Sequence, residues 1–77
     1  KLVLCGDLMF GGTMATTPVK IIFYKGQKAT LNGKRTSWKI LKDDSILVNF
    51  YGSYIRLKEV GNGRYIDSEG NQYEKCN

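Results

Sequence analysis

An all-β domain is what this sequence predicts: a small antiparallel meander closing into an up-and-down or flattened barrel of about eight short strands, with no significant helix. Three observations carry that expectation. No stretch sustains a helical apolar period, several runs alternate apolar and polar residues with period two, and turn-forming pairs recur about every eight to twelve residues. A chain of 77 residues is one domain, 1–77. It buries too little surface to have much stability in reserve, so a covalent or other staple is expected.

The elements follow in order. Residues 1–5 open as an apolar strand. Residues 6–18 read GDLMFGGTMATTP, with three glycines, two methionines and Phe10. They are read first as a segment that pairs in part as an irregular strand, its side chains filling one barrel end; the alternative is a mobile binding loop or a plug over one barrel mouth, in which Met9, Phe10 and Met14 are adaptable contacts. Pro18 suits a strand start and not its centre. After it, Val19, Ile21 and Phe23 alternate with Lys20, Ile22 and Tyr24, giving a strand over 19–24. A strand over 27–31 leads into Asn32-Gly33, the strongest hairpin signal here, because both residues tolerate the positive φ of a type I′ turn. Strands over 34–41 and 45–51 flank a turn at Lys42-Asp43-Asp44.

The register of the last half rests on three further turns. With Gly52-Ser53 as a two-residue turn, Phe50 faces Ile55, Val48 faces Leu57 and Ile46 faces Glu59. Strands over 54–60, 64–67 and 72–76 follow, joined at Asn62-Gly63 and Glu69-Gly70. Those turns set Glu59 opposite Ile66, Lys58 opposite Asp67 and Ile66 opposite Tyr73. The alternation assigns Val19, Ile21, Phe23, Ala29, Leu31, Trp38, Ile40, Ile46, Val48, Phe50, Ile55, Leu57, Ile66 and Tyr73 to the core. It leaves Lys20, Tyr24, Lys28, Arg35, Lys39, Tyr51, Tyr54, Arg56 and Lys58 outside.

The two cysteines, Cys5 and Cys76, stand near the two ends of the chain. A bond between them closes almost the whole chain into one loop, a chain-entropy gain of about 4 kcal/mol. A barrel brings the first and last strands side by side, within disulfide reach, so fold and staple support each other. Two buried free thiols in a reducing compartment are the alternative. With the bond, the expected location is periplasmic or secreted. No apolar run approaches the roughly 20 residues of a membrane-spanning helix, and nothing in the sequence sets an oligomeric state.

The net charge of +5 is uneven: residues 1–42 hold eight bases against one acid, and residues 43–77 four against six. Such segregation favours an electrostatic patch over a uniform cationic coat. Catalysis is poorly provided for. The chain contains no histidine, the usual general base near neutral pH. Asp43, Asp44, Asp67 and Glu69 fall in or beside turns, where acids serve the turn. Two distant cysteines lack zinc-site spacing, and Asp67, Glu69 and Asn71 form only a fragment of a calcium loop. Gly11-Gly12 opens no phosphate-binding helix. The expectation is a non-enzymatic chain with no catalytic residues, no metal and no cofactor.

What remains is a basic and aromatic outer face, with Lys20, Tyr24, Lys25, Lys28, Arg35, Lys39, Tyr51, Tyr54 and Arg56, joined by Met9 and Phe10 of the 6–18 loop. Tyr and Arg are favoured anchors of protein interfaces, so the expected partner is a protein, and the chain an inhibitor or a host- or phage-interaction factor. The alternative is nucleic acid bound inside the cell, since tyrosines can stack on bases while lysines and arginines meet phosphate.

The run Phe23-Tyr24-Lys25-Gly26-Gln27-Lys28-Ala29-Thr30-Leu31 resembles a segment of the periplasmic and membrane-bound inhibitors of c-type lysozyme, which are small disulfide-bearing eight-stranded barrels. There a lysine-glycine turn helps to fill the lysozyme cleft, a role the resemblance would carry onto Lys25 and Gly26. The chain lacks that family's serine- and glycine-rich inhibitory loop, and it carries the segment early where the family has it late. Its positive charge also opposes binding to a basic lysozyme.

Overall fold

The computed structural model describes residues 2–9, 16–50 and 52–76, apart from the side chains of Met9 and Thr16. These residues form β1 (Leu2–Met9), β2 (Thr16–Tyr24), β3 (Lys28–Leu31), β4 (Lys34–Ile40), β5 (Ile46–Phe50), β6 (Ser53–Gly61), β7 (Arg64–Ile66) and β8 (Gln72–Lys75). Every sequential pair is antiparallel and β8 returns to β1, so the meander is a closed barrel. Among the described residues every strand is therefore paired on both sides over at least part of its length, and none is a fully free edge.

The core is the inner face of that ring. Leu4, Leu8, Val19, Ile21, Phe23, Ala29, Leu31, Ile46, Val48, Leu57 and Tyr73 are buried, and Leu2, Trp38, Phe50, Ile55 and Tyr65 pack partly covered against them. Leu4 and Leu8 belong to the core although the alternation in the sequence singled out neither. Their strand runs on to Met9 and β2 already begins at Thr16, paired from Leu2↔Phe23 to Met9↔Thr16. Residues 6–9 and 16–18 of the 6–18 segment are therefore paired strand, as the irregular-strand reading expected, and not loop. Residues 10–15, with Phe10 and Met14, lie outside the described residues, as does Tyr51.

Turn chemistry sets the register elsewhere. Asn32 and Gly33 have φ of 49° and 85°, as a type I′ turn requires. Asn32 also extends the β2–β3 ladder: its amide donates to the Lys20 carbonyl, and its Oδ1 accepts from the Lys20 amide at 2.8 Å. Between β5 and β6 the turn is not Gly52-Ser53, since Phe50 pairs with Ser53 and Ile46 with Leu57. The Gly52 amide donates to Asn49 Oδ1 at 3.1 Å and fixes the turn. The register moves by two residues, which preserves every inside and outside assignment on these strands.

Between β6 and β7 the shift is by one, and faces do exchange. The ladder is interrupted between Glu59 and Gly61, so Glu59 pairs with Tyr65 and Lys58 with Ile66. A bulge of this kind places two residues opposite one. Tyr65 then pairs with Tyr73, and Ile66 with Gln72. Tyr65 therefore turns inward, and Ile66, expected in the core, belongs to the outer side.

The seam between β8 and β1 holds the staple. Cys5 and Cys76 are joined, with Cα atoms 5.9 Å apart, and the Cys76 amide donates to the Val3 carbonyl at 2.9 Å. Next to them Gly6 pairs with Tyr73. A Cβ on Gly6 would lie 2.6 Å from the Gln72 carbonyl oxygen and 2.8 Å from the Tyr73 ring. Only glycine lets β8 approach this closely, and the space it leaves seats a tyrosine that is 0% exposed.

Candidate functional site

The ladder registers decide which cationic residues share a surface. Tyr24 pairs with Lys28, and Lys28 with Ser37. Ile22 pairs with Thr30, and Thr30 with Arg35. Lys39 pairs with Leu47. Directly paired side chains stand about 4.5–5.5 Å apart at Cβ. Tyr24, Lys28, Arg35 and Lys39 thus occupy one continuous outer surface over β2–β4, with no carboxylate opposite any of them in the ladders. All four are exposed, and among the described residues Lys28, Arg35 and Lys39 enter no ion pair.

Other residues expected on this face lie apart from it. Lys20 pairs with Cys5, which pairs in turn with Glu74, so it belongs to the margin beside the seam. Arg56 is occupied: its guanidinium forms an ion pair with Asp43 and its Nε donates to Ser45 Oγ at 3.0 Å. Asp43 also accepts from the Ser45 hydroxyl and, at 3.1 Å, from the Ser45 amide. Those hydrogen bonds, with Arg56 beside them, bring the Asp43 carboxyl down to about 2. Tyr54 is exposed on β6 opposite Asn49, four strands round the barrel from Tyr24 on β2. Lys25 sits in the β2–β3 turn at a barrel end and not on the sheet face.

The acids at 67–71 have a structural role. Asp67 is buried and accepts four hydrogen bonds, from the amides of Glu69 and Asn71, from Asn71 Nδ2 and from the Tyr73 hydroxyl. Burial, reinforced by the Asp67 carboxylate, pushes the Tyr73 phenol well above the ordinary tyrosine range. Among the described residues no group of three His, Cys, Asp or Glu side chains is placed to hold a metal ion. No helix of the described chain is long and apolar enough to cross a membrane.

A second surface was not foreseen from the sequence. The turns 25–27, 41–45 and 62–63 all lie at one end of the barrel, because even-to-odd crossings there return β2, β4 and β6 toward their successors. That end is open, a concavity of about 580 Å³ floored by Leu2, Phe23, Trp38, Ile46 and Tyr65. Trp38 meets Phe23 edge to face, ring centroids 5.5 Å apart and planes at 89°. Its Nε1–H is shared between the carbonyls of Tyr24, at 2.9 Å, and Lys28, at 2.8 Å, which ties the ring to the base of the Lys25-Gly26-Gln27 turn.

Ile40, expected in the core, is 60% exposed at this end. It faces inward on β4 opposite Ile46, but the barrel wall stops there and leaves most of it uncovered. The segment whose sequence resembles lysozyme inhibitors forms the β2–β3 hairpin, with Lys25 and Gly26 on the rim of the same opening. The signal that could have located this end was the placement of Phe23, Trp38 and Ile40 as the last inward residues before the 25–27 and 42–44 turns. Neither a family model, nor a curated protein, nor a solved structure matches the chain.

Proposed function

We propose that this chain is a non-enzymatic binding module of an oxidising compartment, periplasmic or secreted, that recognises an acidic partner protein through the β2–β4 face. The observation that carries the reading is the alignment of Lys28, Arg35 and Lys39 beside Tyr24, with no acid paired to them. Cations left without intramolecular partners keep their field available for a complementary surface, where they accelerate encounter and set specificity. The Cys5–Cys76 bond supports an oxidising location. The lack of histidine supports binding over catalysis.

The test is a fluorescence titration of the oxidised protein with a glutamate-rich peptide and with single-stranded DNA, each at low and moderate salt. The peptide is expected to bind, and Lys28→Ala/Arg35→Ala/Lys39→Ala to weaken it about tenfold, since each exposed ion pair contributes ~0.2–1 kcal/mol. Tight DNA binding with a steep salt dependence, and weak peptide binding, would transfer the face to nucleic acid. Absence of binding to both ligands at low salt would remove it as a binding face.

A further inference from the structure

The open barrel end combines features that the cationic face lacks. Four aromatic residues, Phe23, Tyr24, Trp38 and Tyr65, line one concavity of about 580 Å³; the Phe23 ring is buried, and Trp38 and Tyr65 are the inward, partly covered rings. Two carboxylates, Asp44 and Glu59, stand in the same lining against a single cation, Lys25. In a chain of net charge +5 this lining is therefore locally acidic. Among the described residues neither Asp44 nor Glu59 enters an ion pair. Glu59 is positioned by the bulge that pairs it with Tyr65, and the pairing is felt chemically: burial, and then the Glu59 charge, raise the Tyr65 phenol above its ordinary value.

Aromatic walls with an adjacent carboxylate suit one ligand chemistry above others. An alkylated ammonium ion presents a positive charge spread over methyl groups, too weakly hydrated to resist transfer and well matched to ring faces. A neutral apolar ligand would leave the carboxylates unused, and an anion would be repelled by them. We propose that the open end of the barrel is a binding site for an alkylammonium group, held against the rings of Trp38 and Tyr65 and paired with Glu59. The site uses none of the cations of the β2–β4 face and does not depend on them; Tyr24 alone belongs to both. Trp38 is rigidly placed by its two carbonyl contacts, so the wall exists before the ligand arrives.

Trp38 is the single tryptophan of the chain, and its emission reports directly on the site. The probes are choline and its carbon isostere, in which a quaternary carbon replaces the nitrogen. Choline is expected to change Trp38 emission saturably and to bind about tenfold tighter than the isostere, the size of a partly desolvated cation–π and charge contribution. Glu59→Gln, an exposed substitution that leaves the core intact, should abolish most of that preference and leave binding of the isostere unchanged. Equal affinity for the two probes, an unchanged preference in the variant, or no saturable change in emission would each overturn the proposal. N-acetyl trimethyl-lysine amide serves as a further probe: binding tighter than choline identifies a modified side chain of a protein as the source, and weaker binding a free small molecule.

Discussion

The β8–β1 seam and the open end are made from the same alternating strands, yet they solve opposite problems. At the seam nothing is left over. Tyr73 is fully buried with its hydroxyl on Asp67, Gly6 gives up its side chain to let β8 close, and the disulfide locks the first strand to the last. At the open end Ile40 is 60% exposed, four aromatics surround a concavity, and two carboxylates face it without an ion-pair partner among the described residues. Barrel closure uses up side chains wherever strands must meet. A site survives where the wall ends, because residues there face inward without being enclosed.

If the seam carries the stability, breaking its covalent link should have the largest effect. Cys5→Ser/Cys76→Ser releases a loop spanning a sequence separation of 71 residues, and chain entropy values that closure at about 4 kcal/mol. For a domain of this size the melting temperature is expected to fall by roughly 15 °C or more. Thermal unfolding followed by circular dichroism checks it. A fall of only a few degrees would move the burden of stability from the seam to the rest of the wall.

The next effect tests close approach without touching the bond. Gly6→Ala would force a methyl group to within 2.6 Å of the Gln72 carbonyl oxygen, which is backbone and cannot swing aside. Either the β1–β8 ladder opens or Tyr73 leaves its place, at a cost of about 2–3 kcal/mol. Denaturant unfolding reads the loss as a lower midpoint. An unchanged midpoint would mean that the two strands separate freely, and the contrast between the ends would fail.

The two regions also differed in how readily they could be read from sequence. The seam was legible in outline: eight strands and two terminal cysteines imply that Cys5 and Cys76 meet, and they do. Its fine structure was not, because the place of Gly6 beneath Tyr73 depends on the β1–β8 register, which no turn sets; and between β6 and β7 a bulge moved the register by one residue. Alternation counts residues along a strand and does not see an extra one inserted between Glu59 and Gly61. That insertion exchanged Ile66 for Tyr65 on the inner side. The open end failed for a different reason. Ile40 has the alternation of a core residue, and what exposes it is the height at which the wall stops, which is a property of neighbouring strands. The outer cations were easier to place, since their faces follow from the hairpins alone; the pairing of Arg56 with Asp43 required the folded turn.

The smallest expected effect is the sharpest test of that last distinction. Ile21 and Ile40 both point to the inner side, on β2 and β4, but Ile21 is 0% exposed and Ile40 60%. Threonine keeps the branched Cβ that strands favour and removes apolar volume. In the core, Ile21→Thr loses packing and buries a hydroxyl, costing about 3 kcal/mol. At the rim, Ile40→Thr should change stability by no more than about 0.5 kcal/mol, as exposed substitutions do. Measured side by side in denaturant, equal losses would show that the barrel end is packed shut in solution. A loss confined to Ile21→Thr would show that Ile40 is retained at the mouth for a reason other than holding the fold together.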